Sequence, residues 1–437
     1  MRRTLLLLNT MALSLLLASG LALAAGVGTA AADSSVVGPG ESIQKAINAA
    51  DPGDTVVVKG VHKEDVVIRK NGIKLRGEDA VIEAPPRTKA DSPCSKTFGP
   101  EGICVLGDVN FETFQVKKRV KDVSVSGFTF RGFEDKEKGL FAIELDGARN
   151  ASVVGNRFIG NVAGGIVAGV SINTTIAKND VIGNPDTKAP GIVVGGSRNT
   201  RVVNNVVKSY PEGENAIEVL FESTNTTIEG NDLKGNWLGA YVVDSPGTKI
   251  LSNEMSRFGI IGTYVAGQKS QDAKIVGNDI SGGPWGIYVT DAHGGSVVGN
   301  KVHNNCAGMF FEAFKAEPVG GFGVSGNTVE DNTRSCRGQK FGRNFSGIGI
   351  ALLGASGMEV KANHLSGNVP SGPTRISGGV VVATDPYFGG TIEPKNNSVT
   401  ANHFGRNKPD IYWDKSGSGN SFVGNLCDTS VPTSLCG

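Results

Sequence analysis

The chain has 437 residues, with 43 basic and 42 acidic side chains, a formal charge of +1, 62 glycines and 6% aromatic residues. This balance of charge lacks the basic footprint of a nucleic-acid binder, so no nucleic-acid partner is expected. So much glycine without a collagen period predicts tight turns along the whole length.

The N-terminal Met1-Arg2-Arg3 leads into an apolar run from Leu5 to Ala25 and then into Ala30-Ala31-Ala32. This pattern predicts a secretory signal peptide over residues 1–32, cleaved after Ala32 and using the general secretion route, since the twin-arginine flanks are missing. No later stretch is long and apolar enough to span a bilayer, so a secreted, extracellular protein without membrane contact is expected. Residues 33–437 contain no Pro-rich, Ser-rich or charged linker and predict a single domain, expected to be a monomer. Glu41 to Ala50 has helical apolar spacing at Ile43, Ala46 and Ile47, and Pro52-Gly53-Asp54 turns it into a first strand at Thr55 to Val58. The segment 41–50 is therefore predicted to be a helix capping an otherwise open strand edge.

The six cysteines fall into neighbours, Cys94 with Cys104, Cys306 with Cys336, and Cys427 with Cys436. In an exported chain an even count favours three disulfides over metal ligation. From Val153 onward one phrase recurs: an aliphatic residue, two others, Asn, one other, and an apolar residue. Its Asn stands at positions 156, 179, 205, 231, 253, 278, 300, 327, 363, 402 and 425. Separations run from 22 to 39 residues, so a minimal unit near 22 is enlarged by inserted loops. Each unit carries a further short strand such as Gly286-Ile-Tyr288-Val and shows no helical period. Three short strands per unit predict an all-β, right-handed parallel β-helix of about twelve or more coils, each strand pairing in parallel with its counterpart in the next coil. The Asn is expected to take left-handed backbone angles at a sharp bend, with its amide bonding the Asn above and below. Phe128 fills that slot one coil earlier, so the ladder should begin at Asn156. Residues 427–437 are expected to cap the far end, tied by Cys427 and Cys436.

The opening from Glu41 to Val58 and the Asn-bearing coils, together spanning Val36 to Asn425, resemble the pectin-lyase-like superfamily. The superfamily holds enzymes and non-catalytic relatives, and the resemblance to its catalytic members implies a substrate groove outside the Gly-apolar-x-apolar strand. Aligning the coils by their Asn predicts an outward column of Glu144, Val167, Val193, Glu218, Tyr241, Tyr264, Tyr288, Phe310, Gly349, Val381 and Tyr412. Acids such as Asp146, Glu312 and Asp414 should flank it. Aromatic faces stack on sugars and carboxylates bind their hydroxyls, so a polysaccharide is the expected partner, held by Glu218, Tyr241, Tyr264, Phe310 and Glu312. Long turns at Val109 to Lys121, Glu312 to Gly321, Asp331 to Ser346 and Val369 to Ser377 are expected to wall the groove. Tyr288-Val-Thr-Asp291-Ala-His293 is similar to the Tyr-x-x-Asp-Pro-His motif of mannuronan C5-epimerases and alginate lyases, with Ala292 in place of Pro. The similarity implies proton abstraction beside a uronate carboxylate, with Tyr288, Asp291 and His293 catalytic. Two other readings stay open at this point: a glycoside hydrolase using paired acids, Glu218 with Glu222 or Asp291 with Glu312, and a non-catalytic binding or scaffold protein. No cofactor or metal site is expected, although groove acids would suit calcium.

Overall fold

The computed structural model describes residues 32–436, except 86–101, 134–140, 162–163, 185, 188, 211–212, 314–317, 337–343 and 388. Residues 1–31 of the predicted signal peptide, and Cys94, lie outside the described residues. Asp33–Gly437 form one compact unit.

Each coil contributes two short strands, such as Ser152–Val154 and Arg157–Ile159, to a sheet of 25 strands, and one longer strand, such as Gly164–Gly169, to a sheet of 14 strands. The latter is called the groove sheet below. Pairing between coils is parallel and in register, as in Ile228↔Ile250 and Leu233↔Met255. Alternation sends one side chain of every pair inward. Val153, Ile176, Val202, Ile228, Ile250, Ile275, Val297, Val324, Val360 and Val399 are therefore fully buried in one continuous column. The helix spans Ile43–Ala49, within the predicted segment, because Ser42 caps it by accepting from the Lys45 amide. Buried Ile43 and Ile47 close the core beneath it. At the far end Ser430–Val431 adds a last strand to the groove sheet, Thr433–Leu435 forms a short 3-10 turn, and Cys427 bridges Cys436.

The Asn ladder begins at Asn156, and its side-chain amides bond upward at 2.9–3.1 Å through to Asn425. Phe128 donates its backbone N–H to Asn156 Oδ1 at 3.1 Å, as its place one coil earlier implies. The expected left-handed conformation sits one residue earlier than predicted, on Gly155, Lys178, Asn204, Gly230, Ser252, Gly277, Gly299, Gly326, Ala362, Ala401 and Gly424. One left-handed residue turns the chain, and that turn directs the following Asn inward, where its amide replaces the backbone partners lost at the bend. Ala362 holds φ at 54° with a Cβ that disfavours it. Ala362→Gly is expected to stabilise the fold by about 0.5–1 kcal/mol, read from the urea midpoint, after allowing for the greater freedom of glycine in the unfolded chain.

Candidate functional site

The outer face of the groove sheet carries Glu218, Tyr241, Tyr264, Tyr288 and Phe310 at directly paired positions on five successive coils. The next member is Ala351, not Gly349. The long insertion before that strand moves its start to Ile348, two residues beyond the position that alignment by Asn implies. Tyr241 and Tyr264 stack with ring centroids 5.4 Å apart and planes 17° apart. Tyr264 and Tyr288 follow at 5.6 Å, and Phe310 meets Tyr288 edge-on at 6.0 Å.

The column is open at one end and roofed at the other. Tyr241 and Tyr264 are half-buried, whereas Tyr288 is 8% and Phe310 2% exposed. Trp285, on the same strand as Tyr288, stacks on Phe345 at 4.4 Å, and Tyr387 approaches Phe310 at 6.4 Å. With Ile348, Ile376 and Val381 these rings form a second apolar cluster outside the coil interior. The Cys306–Cys336 disulfide anchors this roof. Cys336 and Phe345 exchange backbone hydrogen bonds of 3.1 and 3.2 Å, so the covalent tie extends to the ring that covers Trp285. Phe345 and Ile376, both from inserted loops, thus help to cover the Tyr288 and Phe310 half of the column, which the sequence pattern places on the open face.

Beneath the roof several acids meet. Tyr288 donates its hydroxyl to Glu312 Oε2 on the neighbouring coil, and Glu312 is completely buried. Burial, together with the nearby carboxyls of Asp385 and Asp291, pushes the Glu312 carboxyl up to about 8, against the lowering effect of the Tyr288 bond. Burial first, and then Glu312 itself, holds the Tyr288 phenol well above its ordinary range. Asp385 arrives from two coils away. Its carboxylate accepts from the Tyr387 and Gly390 amides at 2.7 and 3.2 Å, which fixes the turn. The same segment passes directly over Gly354, where an added Cβ would lie 2.8 Å from the Ile392 carbonyl. Only glycine permits that approach, at φ +66°. Tyr264 donates to or accepts from Thr290 Oγ1 at 3.2 Å, and burial raises its pKa.

Of the residues singled out in sequence, Tyr288 and Phe310 lie under the roof with Glu312 bonded to Tyr288, Asp291 acts on Glu312 and Tyr264 through space, and Tyr241 and Tyr264 lead up to them. Glu218 stands beside Tyr241, with burial raising its carboxyl. His293, two residues after Asp291, opens strand His293–Val298 in the 25-stranded sheet and pairs there with Gln271 and Gly320. Asp385, Trp285, Phe345 and Tyr387 were not singled out. Thr384-Asp385-Pro386 reads only as a turn, and no periodic signal carries a loop back over two coils. Among the described residues no three His, Cys, Asp or Glu side chains group as a metal site, and no helix is long and apolar enough to cross a membrane.

Residues 47–233, 167–317 and 215–430 match the family model described as right handed beta helix region. Among solved structures, the A-module of Azotobacter vinelandii mannuronan C-5 epimerase AlgE6 is similar at 15% identity and a TM-score of 0.54, over 88% of this chain and 94% of that one. The AlgE4 A-module from the same organism is similar at 14% identity and TM-score 0.50, over 89% and 95%. The Dettilon tailspike protein matches at 15% and 0.50, over 90% and 68%. At such identities the likeness establishes the right-handed parallel β-helix fold alone. No curated protein matches the chain.

Proposed function

The chain belongs to the right-handed β-helix family, and we propose that it binds a glycan across Tyr241 and Tyr264 and hydrolyses it at the acid cluster beside them. One observation carries this reading: a stacked, half-exposed tyrosine pair leads along the strand column to a carboxyl that stays protonated to about pH 8. Coils repeat at about 4.8 Å, close to the length of one sugar, so successive rings suit successive residues of a chain. Glu312 has the protonation state of a general acid and would give its proton to the glycosidic oxygen. Asp291, one coil away and interacting with Glu312 through space, would serve as the second carboxylate, activating water or attacking the sugar. Burial first, and then Asp385, keeps Glu312 protonated.

Elimination or epimerisation at Tyr288 and His293 draws less support. A phenol held above its ordinary range that donates to Glu312 is a poor base near neutral pH, and His293 belongs to the other sheet. Complete burial of Glu312 favours a second reading, a glycan-binding protein without turnover, unless substrate displaces the roof of Phe345 and Tyr387. Secretion through the general route is part of this proposal and rests on the N-terminal pattern and the two disulfides. A panel of neutral and uronate polysaccharides tests the reading. New reducing ends without unsaturated product support hydrolysis. Unsaturated product or altered epimer content would return Tyr288 and His293 to the chemistry, and binding alone would leave the second reading. Tyr241→Ala is expected to weaken glycan binding up to about tenfold, measured by calorimetry, through loss of one stacking face.

A further inference from the structure

Beyond Glu218 the groove sheet continues toward Phe141, and that end differs in chemistry. The strands Asp108–Asn110 and Gln115–Lys118 form an antiparallel hairpin whose tip carries Phe111 and Phe114 over the groove sheet. Between this hairpin and the sheet lies an almost wholly apolar cavity of about 420 Å³, lined by Phe114, Phe141, Val193, Leu220 and Phe221 among others. Phe114 and Phe221 are 65% and 74% exposed, large rings left facing solvent at its rim. The carboxyls of Glu144, Asp146 and Glu218 also line it; burial first, and then Glu144, holds Asp146 well above the usual carboxylate range, and burial raises Glu218. Against it, sharing Phe114, Val170 and Gly196, lies a second and polar cavity lined by Arg119 and Arg198. The Arg119 guanidinium is half-buried and donates to the Val170 and Ala148 carbonyls. Burial first, and then the nearby Arg198 and Arg149, disfavours its charge, and no carboxylate pairs with any of the three among the described residues. Like charges clustered without a counter-charge call for an anion, and they call for it at the mouth of a hydrocarbon-lined pocket.

We propose that the hairpin end of the groove binds a single-chain anionic amphiphile, its hydrocarbon among Phe114, Phe141 and Phe221 and its head group between Arg119 and Arg198. At about 30 Å³ per heavy atom, the apolar cavity takes a chain of roughly a dozen atoms. The shared chemistry is a carboxylate or phosphate on an alkyl chain.

Calorimetry on the full mature chain with hexanoate, octanoate, decanoate and decyl phosphate, all below their micellar concentrations, tests this. Affinity should rise about tenfold per two added carbons. Either head group should bind at least tenfold more tightly than decanol or decyltrimethylammonium, and the ratio of decanoate to decyl phosphate identifies the source. Arg198→Gln, an exposed position, should weaken decanoate about fivefold or more and leave decanol unchanged. Arg119→Gln should do the same, with its thermal midpoint checked because it also holds backbone carbonyls. Phe114→Ser should weaken decanoate and decanol alike. Equal binding of decanol and decanoate, affinity independent of chain length, unaffected binding in both arginine variants, or capture by anionic phosphatidylglycerol vesicles without binding of soluble decanoate would each overturn the proposal.

Discussion

Glu312→Gln is expected to slow glycan cleavage by orders of magnitude and to stabilise the protein at alkaline pH. In the folded chain Glu312 keeps its proton to about pH 8, whereas an unfolded glutamic acid releases it near 4.5. Between those values the native state holds a proton that the unfolded state has lost, so stability falls as pH rises from about 4.5 to about 8 and levels off above that. Each tenfold change in proton affinity is worth about 1.4 kcal/mol, which allows as much as ~4 kcal/mol for a group this buried. Glutamine is neutral throughout and can still accept from Tyr288. The gap between variant and parent should therefore be near zero at pH 4.5 and largest above pH 8. Urea midpoints across that range measure it, and taking the difference cancels Asp65, Asp146 and Glu218, whose carboxyls burial also raises. Glycan binding at Tyr241 should persist while cleavage drops by about 10²–10⁴-fold, the usual worth of a general acid. Cleavage that survives the substitution would remove Glu312 from the chemistry, and a gap independent of pH would show that the carboxyl titrates normally.

The second large effect concerns the interior ladder. Asn278 accepts from both the backbone and side-chain amides of Asn253, and donates to Ile250 O and to Asn300 Oδ1. Asn278→Ala leaves the Asn253 N–H with no partner and deprives a side-chain donor and two acceptors in a region closed to water. At roughly 1–3 kcal/mol for each unsatisfied buried group, the loss should reach ~3–6 kcal/mol. Asn425→Ala removes only the partly buried last rung, which accepts from Asn402, and should cost ~1–2 kcal/mol. Urea unfolding compares the two. Hydrogen exchange should show amides near residues 253 and 278 opening first in the interior variant. Equal costs at the two positions would mean that the ladder contributes little beyond the packing around it.

Part of the candidate site is legible in the amino-acid order. Alternation from the inward aliphatics is enough to place Glu218, Tyr241, Tyr264, Tyr288 and Phe310 on one outward line. It fails by two residues at Ala351, where an insertion displaces the strand start. It also puts the left-handed turn on the Asn itself, although the turning residue precedes it, as Lys178, Ser252 and Ala401 show. No outward pattern could tell that Phe345 and Tyr387 roof Tyr288 and Phe310, because an inserted loop has no periodicity from which its landing point can be read.

Sequence alone determined the coil, its inward aliphatic columns and its Asn ladder, since each unit of a solenoid meets only its neighbours and a one-dimensional repeat encodes those contacts completely. Tertiary structure alone decided which acids act together. Glu312 meets Asp385 only because the chain near Ile392 crosses the bare backbone of Gly354, and Arg119 joins Arg149 and Arg198 only because a hairpin reaches across the coils. Those contacts skip repeats, so their energies depend on closing long loops in space and leave no mark on the period of the sequence.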